Sequence, residues 1–477
     1  MNKSELVFVS PPAFSHMVAT IELSKRLINK DDRVLVTILC MKAASNPVLE
    51  SLIKSLVGSE TRIKLIDLPQ IDPPPPELML KSKERYICAN IENHIPHVRN
   101  TLKNLVSSHS NSHSNTRVSG LVLDFVCMSL LDVANELGLP CYMFLTCSLG
   151  FLSVMLHLPT HHDLIGAEFK DSDPDVTITG LANPVPARVL PLALFNKDGG
   201  YTAFLELARR FRKTKGILVN SFVELESHDA VRSLRSDGKT PPIYMVGPIV
   251  DLKGPPHPSM DQAQDENIMK WLDKQPDSSV LFICFGSSGQ DFGASQLREI
   301  AFAVERSGYR FLWILRSRQK LTKSSTPEDI TLPEGFLERT KGRGMICKWA
   351  PQVKVLAHKA VGGFVSHCGW NSILESLWCG VPIATWPFYA EQQLNAFEMV
   401  RELGLAVELR LDYRMDGGGD VMAEEIEIAV RRLMDGESEL RKKVKERSKM
   451  ARNALAEGGS SFNALGQLIK DVIARSE

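Results

Sequence analysis

Short, mostly apolar runs recur along the chain, each closed by Gly, Pro, Ser or Asp and followed by apolar residues at helical spacing. Residues 6–9, 33–40, 62–68, 120–124, 141–145, 216–220 and 243–246 read as strands, and their lack of alternation suits strands covered on both faces. Ser10-Pro11-Pro12 ends the first of them, because proline brings no ladder donor. From about His16 the period becomes helical: Met17 and Ile21 are four apart, as are Leu23 and Leu27. His16 is therefore expected on the loop at the carboxyl end of the first strand, where open α/β sheets hold their ligands.

A second series begins near Gln262, with strands at 280–285, 311–315, 361–365 and 405–411, and residues 345–348 lead into the stretch that starts at Trp349. Helical spacing follows from Ser295, from Trp370, and over 395–403, 423–434 and 437–456, and a last apolar face joins Phe462, Leu465, Leu468, Ile469 and Val472. Strands alternating with helices at this interval predict parallel sheets with helices on both sides. Gly247-Pro248 and Gly254-Pro255-Pro256-His257-Pro258 mark a linker between two such series. The expected division is a first domain over 1–247, a linker over 248–261, a second domain over 262–457 and a terminal helix over 458–477.

Other stretches have weaker patterns. Residues 71–76 are a proline run and read as an extended loop. The Ser/Asn/His tract over 107–115 reads as a mobile surface loop, and a flexible tract makes a poor metal cage for His109 and His113 despite their helical spacing. Residues 149–200 are apolar but scarcely periodic, so Phe151 and Met155 fit a pocket wall or ordinary core equally well, and His157, His161 and His162 read as incidental.

Composition narrows the function classes. At 477 residues the chain exceeds a single core, and 44% hydrophobic with 23% charged residues describes a soluble globular protein. Lys plus Arg equals Asp plus Glu at 56 each, which gives no bias toward nucleic acid or an anionic membrane. Nine cysteines without C-x-x-C pairs fit neither a disulfide framework nor a zinc ribbon, and point to a reducing compartment. With no signal-peptide core behind Met1 and no run of about 18 apolar residues, a cytoplasmic location is expected.

The candidate chemistry is concentrated in residues 349–392. An apolar strand there ends in Ser366-His367-Cys368-Gly369 and a helix begins at Trp370, a strand–turn–helix order that offers unpaired N–H groups and a positive dipole end to an anion. Asn371 and Ser372 add short donors and Glu375 follows one turn later, although the same residues also suit a capped helix with a solvated charge. The turn Gly286-Ser287-Ser288-Gly289 is a second candidate phosphate cradle, but it lacks the G-x-G-x-x-G spacing that a nicotinamide oxidoreductase would show. In the first series, Asp124 closes an apolar strand and needs a partner if buried, and His16 lies on the same sheet edge. A surface histidine and a strand-capping aspartate would look the same in sequence.

Residues 349–392 resemble the signature box of the plant secondary-product UDP-glycosyltransferases, the family 1 enzymes of the GT-B architecture. Trp349, Ala350, Pro351, Gln352, His367, Gly369, Trp370, Asn371, Ser372, Glu375, Glu391 and Gln392 fall at the family's spacing. The resemblance implies two Rossmann-like doubly wound domains facing across a cleft, with the terminal helix returning to the first. It implies that Trp349 stacks on uracil, that the Ala350 backbone bonds the base edge, and that Gln352 and Glu375 bind ribose hydroxyls. His367, Asn371, Ser372 and the helix start past Gly369 would hold the diphosphate, with Ser287 facing it. Trp370, Glu391 and Gln392 would hold the sugar, and Gln at position 392 goes with glucose donors in the family.

The resemblance also implies that His16 is a general base oriented by Asp124 in an inverting displacement. Many relatives carry Gly before this histidine, whereas this chain has Ser15. Phe125, Thr146, Phe151 and Met155 would line an acceptor pocket for a small apolar alcohol or phenol, such as a flavonoid, another phenolic or a triterpenoid. No metal and no cofactor are expected beyond UDP-glucose as co-substrate, and the protein is expected to be a monomer without nucleic-acid partners. A catalytically silent UDP-sugar-binding protein is the alternative, and the His16 and Asp124 pair argues against it.

Overall fold

The computed structural model describes residues 3–42, 47–111, 115–226, 228–252, 262–286, 292–315, 332–415 and 418–474. The chain divides into two compact units, Met1–Asp251 with Arg452–Glu477, and Leu252–Ala451.

The sheet of the first unit contains β1 (Lys3–Ser10), β2 (Val34–Cys40), β3 (Ile63–Asp67), β4 (Thr116–Asp124), β5 (Cys141–Leu145), β6 (Gly216–Val219) and β7 (Ile243–Met245). Its order is β3-β2-β1-β4-β5-β6-β7 and every neighbouring pair is parallel. Parallel pairing requires a crossover over a sheet face, which is why these strands are buried and apolar on both sides. Leu6 and Phe8 of β1 pack with Met17, Ile21 and Leu27 of the helix Phe14–Lys30, and the terminal helix Ser460–Ala474 adds Leu465, Leu468, Ile469 and Val472 to this core. The Tyr244 hydroxyl of β7 donates to the Asp471 carboxylate of that terminal helix.

Three sequence expectations change here. His16 does not lie on a loop: the helix starts at Phe14, so His16 belongs to its first turn. The tract over 107–115 is helical as far as Asn111, at the end of the helix Ile95–Asn111. His109 there meets the buried Glu5 carboxylate, whose other oxygen accepts from the Thr37 hydroxyl, and this tertiary contact overrides the low helix propensity of Ser and Asn. His113 lies outside the described residues. The apolar stretch after Ser148 forms the helix Leu149–Ile165, and its first two turns are buried on all sides, which removes the one-sided period that marks a surface helix.

The second unit holds β8 (Val280–Cys284), β9 (Arg310–Ile314), β10 (Gly344–Cys347), β11 (Val361–Ser366), β12 (Ile383–Thr385) and β13 (Ala406–Glu408). They run in the order β10-β9-β8-β11-β12-β13, again all parallel. Leu281, Ile283, Trp313, Val365 and Trp386 pack with Ile426, Val430 and Leu433 of the helix Ala423–Met434. The helix expected over 395–403 is divided: Gln392–Phe397 is α-helical and Glu398–Glu402 is a π-helical turn. The polar stretch 316–331, most of the Gly/Pro linker and residues 416–417 lie outside the described residues.

The terminal helix should contribute measurably to the first unit. Leu468, 2% exposed, would leave a cavity as Leu468→Ala, and urea unfolding should show a loss of about 2–5 kcal/mol.

Candidate active site

The two groups of site residues occupy equivalent places in their own sheets. In the first unit β1 leads through its helix to β2 on one side, while β4 leads to β5 on the other, so the strand order reverses between β1 and β4. No crossover covers the carboxyl ends of that pair, and a crevice is left there. His16 follows β1, and Asp124 is the last residue of β4.

Residues 108 apart in sequence meet at this edge: His16 Nδ1 lies 2.8 Å from Asp124 Oδ2. The Asp124 side chain is 1% exposed and its other oxygen accepts from the Val126 N–H at 3.1 Å, while the His16 side chain keeps 24% of its surface. An ionised carboxylate only accepts, so the Nδ1 facing it carries a proton, and in a neutral ring the lone pair is then on Nε2. Thr146 Oγ1, 3.3 Å from the same Nδ1, is a second acceptor for that proton.

The Phe125 ring lies 5.9 Å from the imidazole, and Phe151 meets Phe125 edge-on at 5.3 Å. Of the four residues proposed as pocket wall, Phe125 and Thr146 thus border His16 directly. Phe151, 1% exposed, stands behind Phe125, and Met155 is fully buried in the same helix. Glu226 is a supporting residue that sequence reasoning missed. Its carboxylate accepts from the Ser221 hydroxyl at 2.7 Å and from the Leu149 N–H at 3.3 Å, which anchors the start of the helix carrying Phe151. Burial raises its pKa above the usual carboxylate range.

In the second unit the order reverses between β8 and β11. Gly286 follows β8 with φ 83°, and His367 follows β11. The imidazole of His367 fits between two glycines: a Cβ on Gly286 would stand 2.5 Å from its Nε2, and one on Gly369 would stand 2.6 Å away. Burial alone lowers the His367 pKa to about 4, so the ring is neutral. Its Nδ1 is buried and has no hydrogen-bond partner among the described residues. Cys368 turns the chain with φ 62°, and Gly369 then leads into the helix Trp370–Cys379, whose cap position receives no side-chain bond. The first-turn N–H groups, with Asn371 and Ser372, form the electropositive end of this unit's edge.

The ribose candidates are gathered a short way along the same helix. Gln352 Nε2 donates to Ser372 Oγ at 2.8 Å and to Glu375 Oε2 at 2.7 Å, which joins the helix Gln352–Ala357 to the helix Trp370–Cys379. Trp349 is half-buried, its carbonyl accepts from Gln264 Nε2 at 3.1 Å, and Ala350 beside it is buried. Glu391 occupies the cap position of the helix Gln392–Phe397, after Ala390 at φ 59°. Gln392 is 3% exposed and its Oε1 accepts from the N–H groups of Phe388 and Tyr389 at 3.0 and 3.2 Å. Its side-chain carbonyl therefore shapes its own loop. Ser287 lies outside the described residues.

The family model described as UDP-glucoronosyl and UDP-glucosyl transferase matches residues 222–450. UDP-glycosyltransferase 71K1 of Malus domestica is 52% identical over 483 residues, covering 100% of both chains. The chain belongs to the plant family 1 UDP-glycosyltransferases. Flavonol 3-O-glucosyltransferase UGT71C4 of Arabidopsis thaliana is 48% identical over 479 residues, covering 99% of this chain and 98% of that one. The crystal structure of Medicago truncatula UGT71G1 complexed with UDP-glucose matches with a TM-score of 0.91 at 52% identity, covering 98% of each chain. The two doubly wound sheets of this glycosyltransferase are accordingly those of the GT-B fold. Among its described residues no helix is long and apolar enough to cross a membrane, and no group of three or more His, Cys, Asp or Glu is disposed to hold a metal ion.

Neutral His367 makes stability depend on pH in this UDP-glycosyltransferase. Its folded pKa lies below its ordinary 6.5, so as pH falls from 6.5 to about 4 the unfolded chain takes up a proton that the folded one refuses. Urea unfolding should show stability falling across that window by on the order of 3 kcal/mol from this residue, and His367→Asn should remove that share of the slope.

Proposed function

We propose that this enzyme transfers glucose from UDP-glucose to a hydroxyl of a flavonoid-type phenol with inversion, giving a β-O-glucoside. The observation that carries the reading is the bond between His16 and Asp124, which leaves Nε2 as a base on a partly exposed ring beside aromatic walls. Nε2 takes the acceptor proton as the oxygen attacks the anomeric carbon. The imidazolium that results is stabilised by the Asp124 carboxylate.

The bond from the anomeric carbon to UDP breaks on the opposite side, and the electron pair leaves with the diphosphate. His367, Asn371, Ser372 and the helix start after Gly369 supply fixed donors for that growing charge. Trp349 and Ala350 serve the base, Gln352 and Glu375 the ribose, Trp370, Glu391 and Gln392 the sugar, and Ser287 the diphosphate. The preorganised Gln352–Glu375–Ser372 group supports the ribose assignment.

Relatives support the choice of substrates. One is named a flavonol 3-O-glucosyltransferase, another, from Fragaria ananassa, a UDP-glucose flavonoid 3-O-glucosyltransferase, and a solved relative holds UDP-glucose. Nine free cysteines fit work in a reducing compartment such as the cytoplasm.

Incubation with UDP-glucose and a panel of flavonols, simple phenols and triterpenoids, read by product mass, should show one added hexose on flavonols. UDP binding without any hexosylated product would overturn the reading. His16→Ala should keep the UDP Kd while losing about 10²–10⁴ in turnover. Glu375→Ala should do the opposite, weakening UDP about tenfold by calorimetry with little change in kcat at saturating donor.

A further inference from the structure

Asn395 has no exposed surface and stands in the helix Gln392–Phe397, close to one turn beyond Gln392. Its Nδ2 donates at 2.9 Å to the carbonyl oxygen of Cys368, in the turn after β11. Cys368 is fully buried and its φ of 62° lies in the left-handed region, which any residue with a Cβ avoids. Its N–H is held by Ser366 Oγ at 3.2 Å and its carbonyl by Asn395, so the strained residue is gripped from both ends. Asn395 Oδ1 is buried with no hydrogen-bond partner among the described residues. A position that served packing alone would lose this desolvation cost by carrying an apolar side chain.

We propose that Asn395 is a positioning residue for the donor. By holding the Cys368 carbonyl it keeps the turn 367–369 in its left-handed form, and so keeps His367 and the helix N–H groups aimed at one point. The inference rests on the reading that the UDP diphosphate sits on that turn.

Calorimetry with UDP alone tests it in Asn395→Ala and Asn395→Asp, each made with Cys368 and with Cys368→Gly and checked for a cooperative thermal transition. The left-handed penalty of an L-residue corresponds to roughly 5- to 30-fold, so Asn395→Ala should weaken UDP about tenfold. Glycine adopts positive φ without help, so in the Cys368→Gly background the same change should cost less than about threefold. A merely structural role would not be rescued in this way. Asn395→Asp keeps the size but loses the N–H donor; it should behave like Asn395→Ala, and it carries the test if the alanine variant does not fold.

Wild-type UDP affinity in the Asn395 variants, or an equal loss in both backgrounds, overturns the proposal. Ser372→Ala, measured alongside, separates the two levels. Unchanged UDP affinity there removes the diphosphate reading itself, whereas weakened affinity there with unaffected Asn395 variants removes only the positioning role.

Discussion

A parallel sheet can turn its connections both ways from only one place, and this constraint fixes where both halves of the molecule hold their chemistry. Crossovers from β1 to β2 and from β4 to β5 leave the edge between β1 and β4 uncovered, and those from β8 to β9 and from β11 to β12 do the same between β8 and β11. His16 and Asp124 meet because their strands are neighbours with no strand between them. Gly286 and His367 adjoin for the same reason. The apolar pattern of the strands is thus the remote cause of both sites.

Around that constraint the second unit accepts local costs. A neutral histidine is enclosed by two glycines, a cysteine takes a left-handed backbone, and Asn395 leaves one oxygen unbonded. Each departs from what a stable core would choose, and all three lie within or against one turn. Such costs gather where binding geometry matters more than stability, and the broad buried sheet on either side offsets them.

Much of this was legible in the sequence. Strands apolar on both faces announced parallel sheets, and the polar landmarks between Trp349 and Gln392 announced the family. The rest is hidden in the sequence for physical reasons. The helix Leu149–Ile165 starts fully buried and so has no amphipathic period to read. The end of the helix Ile95–Asn111 is held by a long-range bond to Glu5, against its local propensity. The helix start that carries His16 is obscured by Pro11 and Pro12 and has no capping side chain. Asn395 and Glu226 act through backbone groups far away in sequence, and no local pattern records such bonds.

The terminal helix has a consequence for how the protein is made. Because Ser460–Ala474 packs into the core of the unit that holds β1, that unit is finished by a segment synthesised after the whole of the intervening one. On the ribosome, the intervening unit can close its own sheet while the earlier one still shows an apolar groove beside β7 and the helix Phe14–Lys30. Until the closing helix emerges, those apolar residues stay open to water and to other unfinished chains.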